Sequence, residues 1–138
     1  MDLYLYLHST QCLDVYPDNT PWSFKVQFNG PLILNGLWTI ALTEFHTLDN
    51  IRQFPLDVYC NWFDSSFVGS NQLPIVRRLF DTHNVLVQPY YRRITLQQMN
   101  NITIDIKAIN GKPASFLQRC ELNLFHHLTE CHCLLLCK

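Results

Sequence analysis

The stretch Ile102-Thr103-Ile104-Asp105-Ile106-Lys107 shows the clearest alternation of apolar and polar residues in this 138-residue chain. A period of two places the three isoleucines on one face and the polar residues on the other, which is typical of a β-strand with one buried face. The same period recurs in Leu3 to Leu7, Phe24 to Phe28 and Trp38 to Leu42. These four segments predict a protein built from strands.

Turn signals divide the rest of the chain at short intervals. Gly30-Pro31 ends the second alternating segment, and Asn35-Gly36 precedes the third; such residues favour tight turns. Ser65 to Asn71 is predicted to be a loop. Further extended segments are predicted at Val58 to Trp62, Ile75 to Phe80, Val85 to Val87, Tyr91 to Leu96 and Leu122 to Leu128. Roughly eight or nine short strands with frequent turns indicate an all-β antiparallel sandwich or barrel.

The alternation also predicts which side chains form the core. Alternate residues of a half-buried strand share one face, so the apolar member of each pair should point inward. The predicted core residues are Leu3, Leu5, Leu7, Phe24, Val26, Phe28, Trp38, Ile40, Leu42, Ile102, Ile104, Ile106, Leu122 and Leu124.

Composition limits the class of protein. The chain is 48% hydrophobic and 13% aromatic, with a formal net charge of -1. This content is typical of one folded domain and not of a disordered chain. The balanced charge does not favour nucleic acid as a partner. No apolar run approaches the roughly 18 residues of a spanning helix, and the first residues lack the pattern of a secretory signal. We therefore expect a soluble or assembled protein without a membrane partner.

The cysteines and histidines near the C-terminus are the weak candidates for a metal site. His126, His127, Cys131, Cys133 and Cys137 supply enough soft ligands for zinc, but their spacing does not match the usual paired Cys-x-x-Cys arrangement. The alternative is a tail with an apolar contact segment. We expect a single domain over residues 1–127, a Cys-rich tail over residues 128–138, reduced thiols and no cofactor.

Catalytic motifs are missing from the sequence. It contains no Gly-x-Ser-x-Gly nucleophile motif, and its four glycines all lie at predicted turns rather than in a phosphate-binding loop. The acidic residues are dispersed, and their spacing singles out no pair for acid/base chemistry. We expect that the protein is not an enzyme.

Two pairs of adjacent arginines, Arg77-Arg78 and Arg92-Arg93, lie close in sequence to aromatic residues, including Tyr90 and Tyr91. Arginines interleaved with aromatics bind single-stranded nucleic acid in some proteins. The same residue types are also enriched at the centres of protein interfaces. We favour the second interpretation and predict that Tyr90, Tyr91, Arg92 and Arg93 contribute to a subunit interface.

Two blocks of the sequence resemble a known family. The first block comprises residues 16–24 (YPDNTPWSF) and 31–45 (PLILNGLWTIALTEF). The second comprises residues 89–94 (PYYRRI), 102–107 (ITIDIK) and 111–117 (GKPASFL). Together they extend over most of residues 3–125. They are similar to the penton-like minor capsid proteins of Polinton (Maverick) elements and adintoviruses, whose capsids are similar to those of adenoviruses.

The resemblance implies a fold, a function and partners. The fold would be a single jelly roll, an antiparallel eight-stranded sandwich. The function would be that of a vertex protein, whose homopentamer fits between trimers of a double jelly-roll major capsid protein. A fibre or attachment protein would be a further partner. The protein would be located in the virion capsid and, during assembly, in the host nucleus or cytoplasm.

A second interpretation stays open on the residues alone. A small β-sandwich could equally act as a binding or adaptor module that contacts a peptide or a sugar. The oligomeric state separates the two interpretations, because a capsid protein assembles into rings or particles and a binding module does not.

Overall fold

A computed structural model describes residues 2–47, 55–62, 66–68, 71–73, 75–79, 90–94, 97–108 and 131–137. These residues contain strands and turns but no helix, and none of them forms a helix suited to cross a membrane. The strands are β1 (Leu3–His8), β2 (Ser23–Ile33), β3 (Thr39–Thr47), β4 (Leu56–Cys60), β5 (Ser66–Val68), β6 (Asn71–Leu73), β7 (Ile75–Leu79), β8 (Arg92–Arg93), β9 (Gln98–Ala108) and β10 (Cys131–Cys137).

The strands form two antiparallel sheets of four strands each. The first sheet has the order β1-β10-β3-β8, and the second has the order β2-β9-β4-β7. The short strands β5 and β6 pair with each other. The fold is therefore all-β, as the alternating segments predict.

The alternating isoleucine stretch lies in β9, in the interior of the second sheet. Ile104 is aligned with Phe24 of β2 on one side and with Cys60 of β4 on the other. All three side chains are buried, whereas Thr103 and Asp105 between the isoleucines are half-buried. The period of two therefore separates an inward face from an outward face, as predicted.

The buried side chains of both sheets belong to one core. Eight of the predicted core residues are fully buried, and Leu3, Leu5, Phe28 and Trp38 are partly buried and pack against them. Leu122 and Leu124 lie outside the described residues. The buried predicted residues are Leu7, Phe24, Val26, Ile40, Leu42, Ile102, Ile104 and Ile106.

The segment predicted as a C-terminal tail contains a strand of the first sheet. Strand β10 lies between β1 and β3 and pairs with both. Cys133, Leu135 and Cys137 are each 0% exposed and belong to the core. The prediction of a tail is therefore wrong for residues 131–137. The sequence Cys-His-Cys-Leu-Leu-Leu-Cys lacks apolar/polar alternation because Leu134 and Leu136 on its outward face are also apolar.

One predicted turn and one predicted loop also differ from the structure. Gly30-Pro31 does not end β2, which continues to Ile33 through a register shift between Gln27 and Leu32. Proline is tolerated there because β2 is an edge strand. Residues 66–68 form β5 instead of part of a loop. In contrast, Gly36 has a φ of +88°, which agrees with the Asn35-Gly36 turn signal.

Replacing Ile104 with alanine should lower the free energy of unfolding by about 2–5 kcal/mol, because the side chain is 0% exposed and its loss leaves a cavity. The matched control is Thr103→Ala on the outward face of the same strand, expected to change stability by only about 0.5 kcal/mol. Urea denaturation of both variants measures the difference. Equal effects of the two substitutions would contradict the assignment of the inward face.

Candidate subunit interface

The predicted interface residues lie on one side of the molecule, where both sheets end. Strand β8 is the last strand of the first sheet, and β7 is the last strand of the second. The guanidinium of Arg77 on β7 lies 4.3 Å from the ring centroid of Tyr90, two residues before β8. The two edges are therefore neighbours. We call Arg77, Tyr90, Tyr91, Arg92 and Arg93 the arginine–tyrosine flank.

A contact between Arg77 and Tyr90 connects the two sheet edges that form this flank. The guanidinium lies over the ring in a cation–π arrangement, which contributes about 0.5–1 kcal/mol at an exposed site. The Tyr90 ring is still 64% exposed, and Tyr91 is 40% exposed. The prediction from sequence did not include Arg77 among the interface residues, although its position in an arginine pair was a signal. The structure thus presents two aromatic side chains and a cation together.

Arg92 and Arg93 face opposite sides of the first sheet, as adjacent residues of a strand should. Arg92 is aligned with Ile40, whose side chain points into the core, and Arg93 is aligned with Thr39. Arg92 is accordingly half-buried at the opening between the sheets, and Arg93 is exposed. Both positive charges lie at the edge of the sheet.

Arg78 has a structural role. Its Nε and Nη2 atoms donate hydrogen bonds of 2.7 and 3.0 Å to the two carboxylate oxygens of Asp57. Asp57 is only 2% exposed, and Arg78 forms an ion pair with it. The hydrogen bond to Asp57 raises the pKa of Arg78. Burial, and then the Asp57 carboxylate, raise the pKa of nearby Tyr59, while Arg78 opposes the shift.

The opposite side of the molecule has different chemistry. Strands β1 and β2 are the other two edge strands. Tyr4 and Tyr6 of β1 are 59% and 49% exposed, and Asp2, Asp14 and Asp18 beside or between these strands are exposed. We call these five residues the tyrosine–aspartate flank. It presents aromatic rings with negative charge, whereas the arginine–tyrosine flank presents aromatic rings with positive charge.

The loop between β1 and β2 is held by hydrogen bonds and borders a cleft. Asn19 donates a side-chain hydrogen bond to the carbonyl of Lys25 and accepts one from its N–H. The amide of Tyr16 donates a 2.7 Å bond to the carbonyl of Cys12. Residues 15–19 and the outward face of β2 and β9, including Thr103, line a cleft of about 320 Å³.

Of the five metal-ligand candidates from the sequence, the structure describes the side chains of only Cys133 and Cys137. Cys133 and Cys137 point into the core, and His126 and His127 lie outside the described residues. Burial raises the pKa of Cys137 to about 11. A protonated thiol is a poor metal ligand. Among the described side chains, no group of three or more histidine, cysteine or acidic residues is placed to hold a metal ion.

Comparison with models of known protein families found no match, and comparison with curated proteins found no similar sequence. The geometry and chemistry of the two flanks therefore carry the functional argument.

Replacing Arg78 with alanine should lower the free energy of unfolding by about 2–3 kcal/mol, because it leaves the Asp57 charge buried without its partner. The Arg78 side chain is 29% exposed, so we expect a smaller loss of stability than for a fully buried ion pair. The matched control is Arg77→Ala at the neighbouring position, which removes the exposed cation–π contact with Tyr90 and should cost less than about 1 kcal/mol. Thermal or urea unfolding measures both. A larger loss for Arg77→Ala would show that the roles are misassigned.

Proposed function

We propose that the two sheets form a single jelly roll, an eight-stranded antiparallel sandwich. The support comes from the order of pairing once the β5–β6 hairpin is left aside. The eight remaining strands pair from the outside of the sequence inward: β1 with β10, β2 with β9, β3 with β8 and β4 with β7. This pattern arises when one long hairpin folds over into two sheets. The β10–β3 pairing joins the β1–β10 pair to the β3–β8 pair, and the β9–β4 pairing joins the β2–β9 pair to the β4–β7 pair.

We further propose that the protein is a structural capsid subunit, a penton-like vertex protein. Jelly rolls occur in capsid proteins, lectins and cupins, so the fold by itself does not select a function. The observation that carries the proposal is the presence of two unlike flanks, each with exposed aromatic rings and with charges of opposite sign. The resemblance of the two sequence blocks to penton-like minor capsid proteins supports the same function.

The unlike flanks favour head-to-tail assembly. The arginine–tyrosine flank of one copy can bind the tyrosine–aspartate flank of the next, since their charges are complementary and their tyrosines supply apolar area. A contact between two different surfaces either closes into a ring or continues as a filament. Closure leaves no unpaired flank, which suits a protein that occupies a symmetric position in a shell.

The number of copies and the partners come from the resemblance. A homopentamer would occupy the fivefold vertices, between trimers of a double jelly-roll major capsid protein. A fibre or attachment protein would bind at the outer end of the vertex. In this proposal the protein is located in the virion capsid, is made and assembled in the host nucleus or cytoplasm, and performs no catalysis.

The cleft beside the β1–β2 loop favours a second candidate function. Its walls carry an aromatic ring, Tyr16, together with polar groups such as Lys25, Thr103 and Asp18. Aromatic and polar groups around a concave surface are the features of a small-ligand site. As a monomer, the protein would then act as a binding or adaptor module for a peptide or a sugar.

Replacing Arg92 and Arg93 together with glutamate should weaken ring assembly at least about tenfold, because the new charges would face Asp14 and Asp18 of the neighbouring copy. Sedimentation velocity over a range of concentrations measures the assembly, and circular dichroism checks the fold.

The control is Lys107→Gln, which removes a positive charge from the interior strand β9, outside the arginine–tyrosine flank, without placing a negative charge opposite Asp57. It should leave assembly unchanged. Rings of unchanged stability in the Arg92/Arg93 variant would remove this flank from the interface. A monomer that binds sugars or peptides at the cleft would favour the second candidate.

A further inference from the structure

The β1–β2 loop closes the outer edge of β2 with side chains. The N–H of Lys25 donates a 2.9 Å hydrogen bond to Asn19 Oδ1, and Asn19 Nδ2 donates a 2.8 Å bond to the Lys25 carbonyl. Two residues further along β2, the N–H of Gln27 donates to the sulfur of Cys12 at 3.4 Å. These side chains occupy the positions that a neighbouring strand would take. Another strand therefore cannot pair with this part of β2.

Strand β1 has a different outer edge. Within the described residues β1 pairs with β10 alone, so its other side is a free edge of the first sheet. The N–H of His8 donates to the side-chain oxygen of Gln11, and the N–H of Gln11 donates to the His8 carbonyl. The backbone groups of His8 therefore point away from β10. Because backbone groups alternate in direction along a strand, those of Tyr4 and Tyr6 also point toward the free edge.

Strand β8 has the same arrangement at the opposite edge of the first sheet. The N–H of Ile94 donates a 2.9 Å bond to the carbonyl of Trp38, so the backbone groups of Ile94 point toward β3. Those of Arg93, one residue earlier, point the other way, toward the free edge. The two edges of this sheet thus each direct backbone donors and acceptors outward.

The two edges also match in strand direction and in face. Successive strands of the first sheet are antiparallel, so β1 and β8 run in opposite directions. Copies related by rotation about an axis along the strands keep this relation, so β8 of one copy runs antiparallel to β1 of the next. Tyr4 and Arg93 both lie on the outward face, since their neighbours Leu5 and Ile94 pack inward. Opposed in an antiparallel pair, Tyr4 and Arg93 can exchange both of their backbone hydrogen bonds.

The side chains of this register are complementary. The Arg93 guanidinium can lie over the ring of Tyr4, which is the arrangement that Arg77 has with Tyr90 within the chain. Asp2 is exposed and precedes Tyr4 by two residues. Diagonal neighbours across an antiparallel pair are about 7–8 Å apart, which is within reach of a long side chain. The positive charge of Arg93 would therefore meet an aromatic ring and a carboxylate.

We propose that β8 of one copy adds to the free edge of β1 of the next copy as an antiparallel strand, with Arg93 opposite Tyr4. The first sheet then continues from copy to copy. This inference rests on the proposed head-to-tail assembly and specifies its main-chain contact. The closed edge of β2 confines strand addition on this side of the molecule to β1. Side chains of the two flanks supply the remaining contact area, because so short a pairing is too small to hold two copies together.

Replacing Tyr4 with proline removes the N–H that would point at the neighbouring copy, and proline is tolerated on the outer side of an edge strand. The matched control, Tyr4→Ala, removes the same ring but keeps the N–H. Tyr4→Pro should assemble about tenfold more weakly than Tyr4→Ala, because it leaves the Arg93 carbonyl without its donor. Sedimentation velocity measures assembly under conditions in which the natural chain forms rings, and circular dichroism checks the fold.

A pair of cysteines tests the register. In a chain with both Tyr4→Cys and Arg93→Cys, the two Cα atoms of neighbouring copies should lie about 5.5 Å apart, which suits a disulfide. Within one chain they are separated by three strand spacings of about 4.8 Å, well beyond the roughly 7 Å limit of a disulfide. Oxidised glutathione should therefore produce covalent oligomers on a denaturing gel. The control, His8→Cys with Arg93→Cys, is out of register and should not cross-link.

Either of two results would overturn the strand pairing and leave the proposed function standing. The first is equal assembly of Tyr4→Pro and Tyr4→Ala into rings. The second is cross-linking of the Tyr4/Arg93 pair that is no stronger than that of the His8/Arg93 pair. A natural chain that forms no rings would instead overturn the proposed function, and the strand pairing with it. Should Tyr4→Pro fail to fold, the cysteine pair decides the question.

Discussion

Strand β10 pairs with β1 on one side and with β3 on the other, and these pairings hold the first sheet together. Within the described part of the chain, β10 is the one strand that β1 pairs with, so the first sheet is complete only when residues 131–137 join residues 3–8. The same strand contributes Cys133, Leu135 and Cys137 to the core. Burial raises the pKa of Cys60 on the facing sheet to about 12, with smaller contributions from Cys137 and Cys133. Pairing of residues this far apart carries a large entropic cost of loop closure, which the burial of apolar surface must offset.

The edges of the sheets must avoid unwanted strand pairing, and the same edges can offer a surface for specific binding. An edge strand leaves backbone groups unpaired and invites unwanted pairing with other chains, and charged side chains and short strands reduce that risk. Strand β8 has two residues, both arginines, and β7 carries two more. Arg78 forms an ion pair with the buried Asp57, whereas Arg77, Arg92 and Arg93 are the positively charged residues of the arginine–tyrosine flank. The residues that discourage random strand pairing are thus the residues that a specific, oppositely charged surface would bind.

The sequence predicted those parts of the fold in which one face is apolar and the other polar. Strands β1, β2, β3 and β9 alternate, and their inward residues reach the core as predicted. Strand β10 was missed because its outward leucines, like its inward residues, are apolar, and because β10 lies between two strands. The arginine–tyrosine flank was found in part, since Tyr90 to Arg93 are consecutive. The contact of Arg77 with Tyr90 was not predictable, because it depends on how the edges of two different sheets come together.

We propose that the two unlike flanks bind each other and close a ring of five copies. Native mass spectrometry of the purified natural chain, with electron microscopy of the same sample, measures this most directly. We expect a closed ring with five times the 16.3 kDa mass of the chain, formed alone or on addition of a double jelly-roll major capsid protein. A chain that remains monomeric at high concentration, even with that partner present, would contradict it.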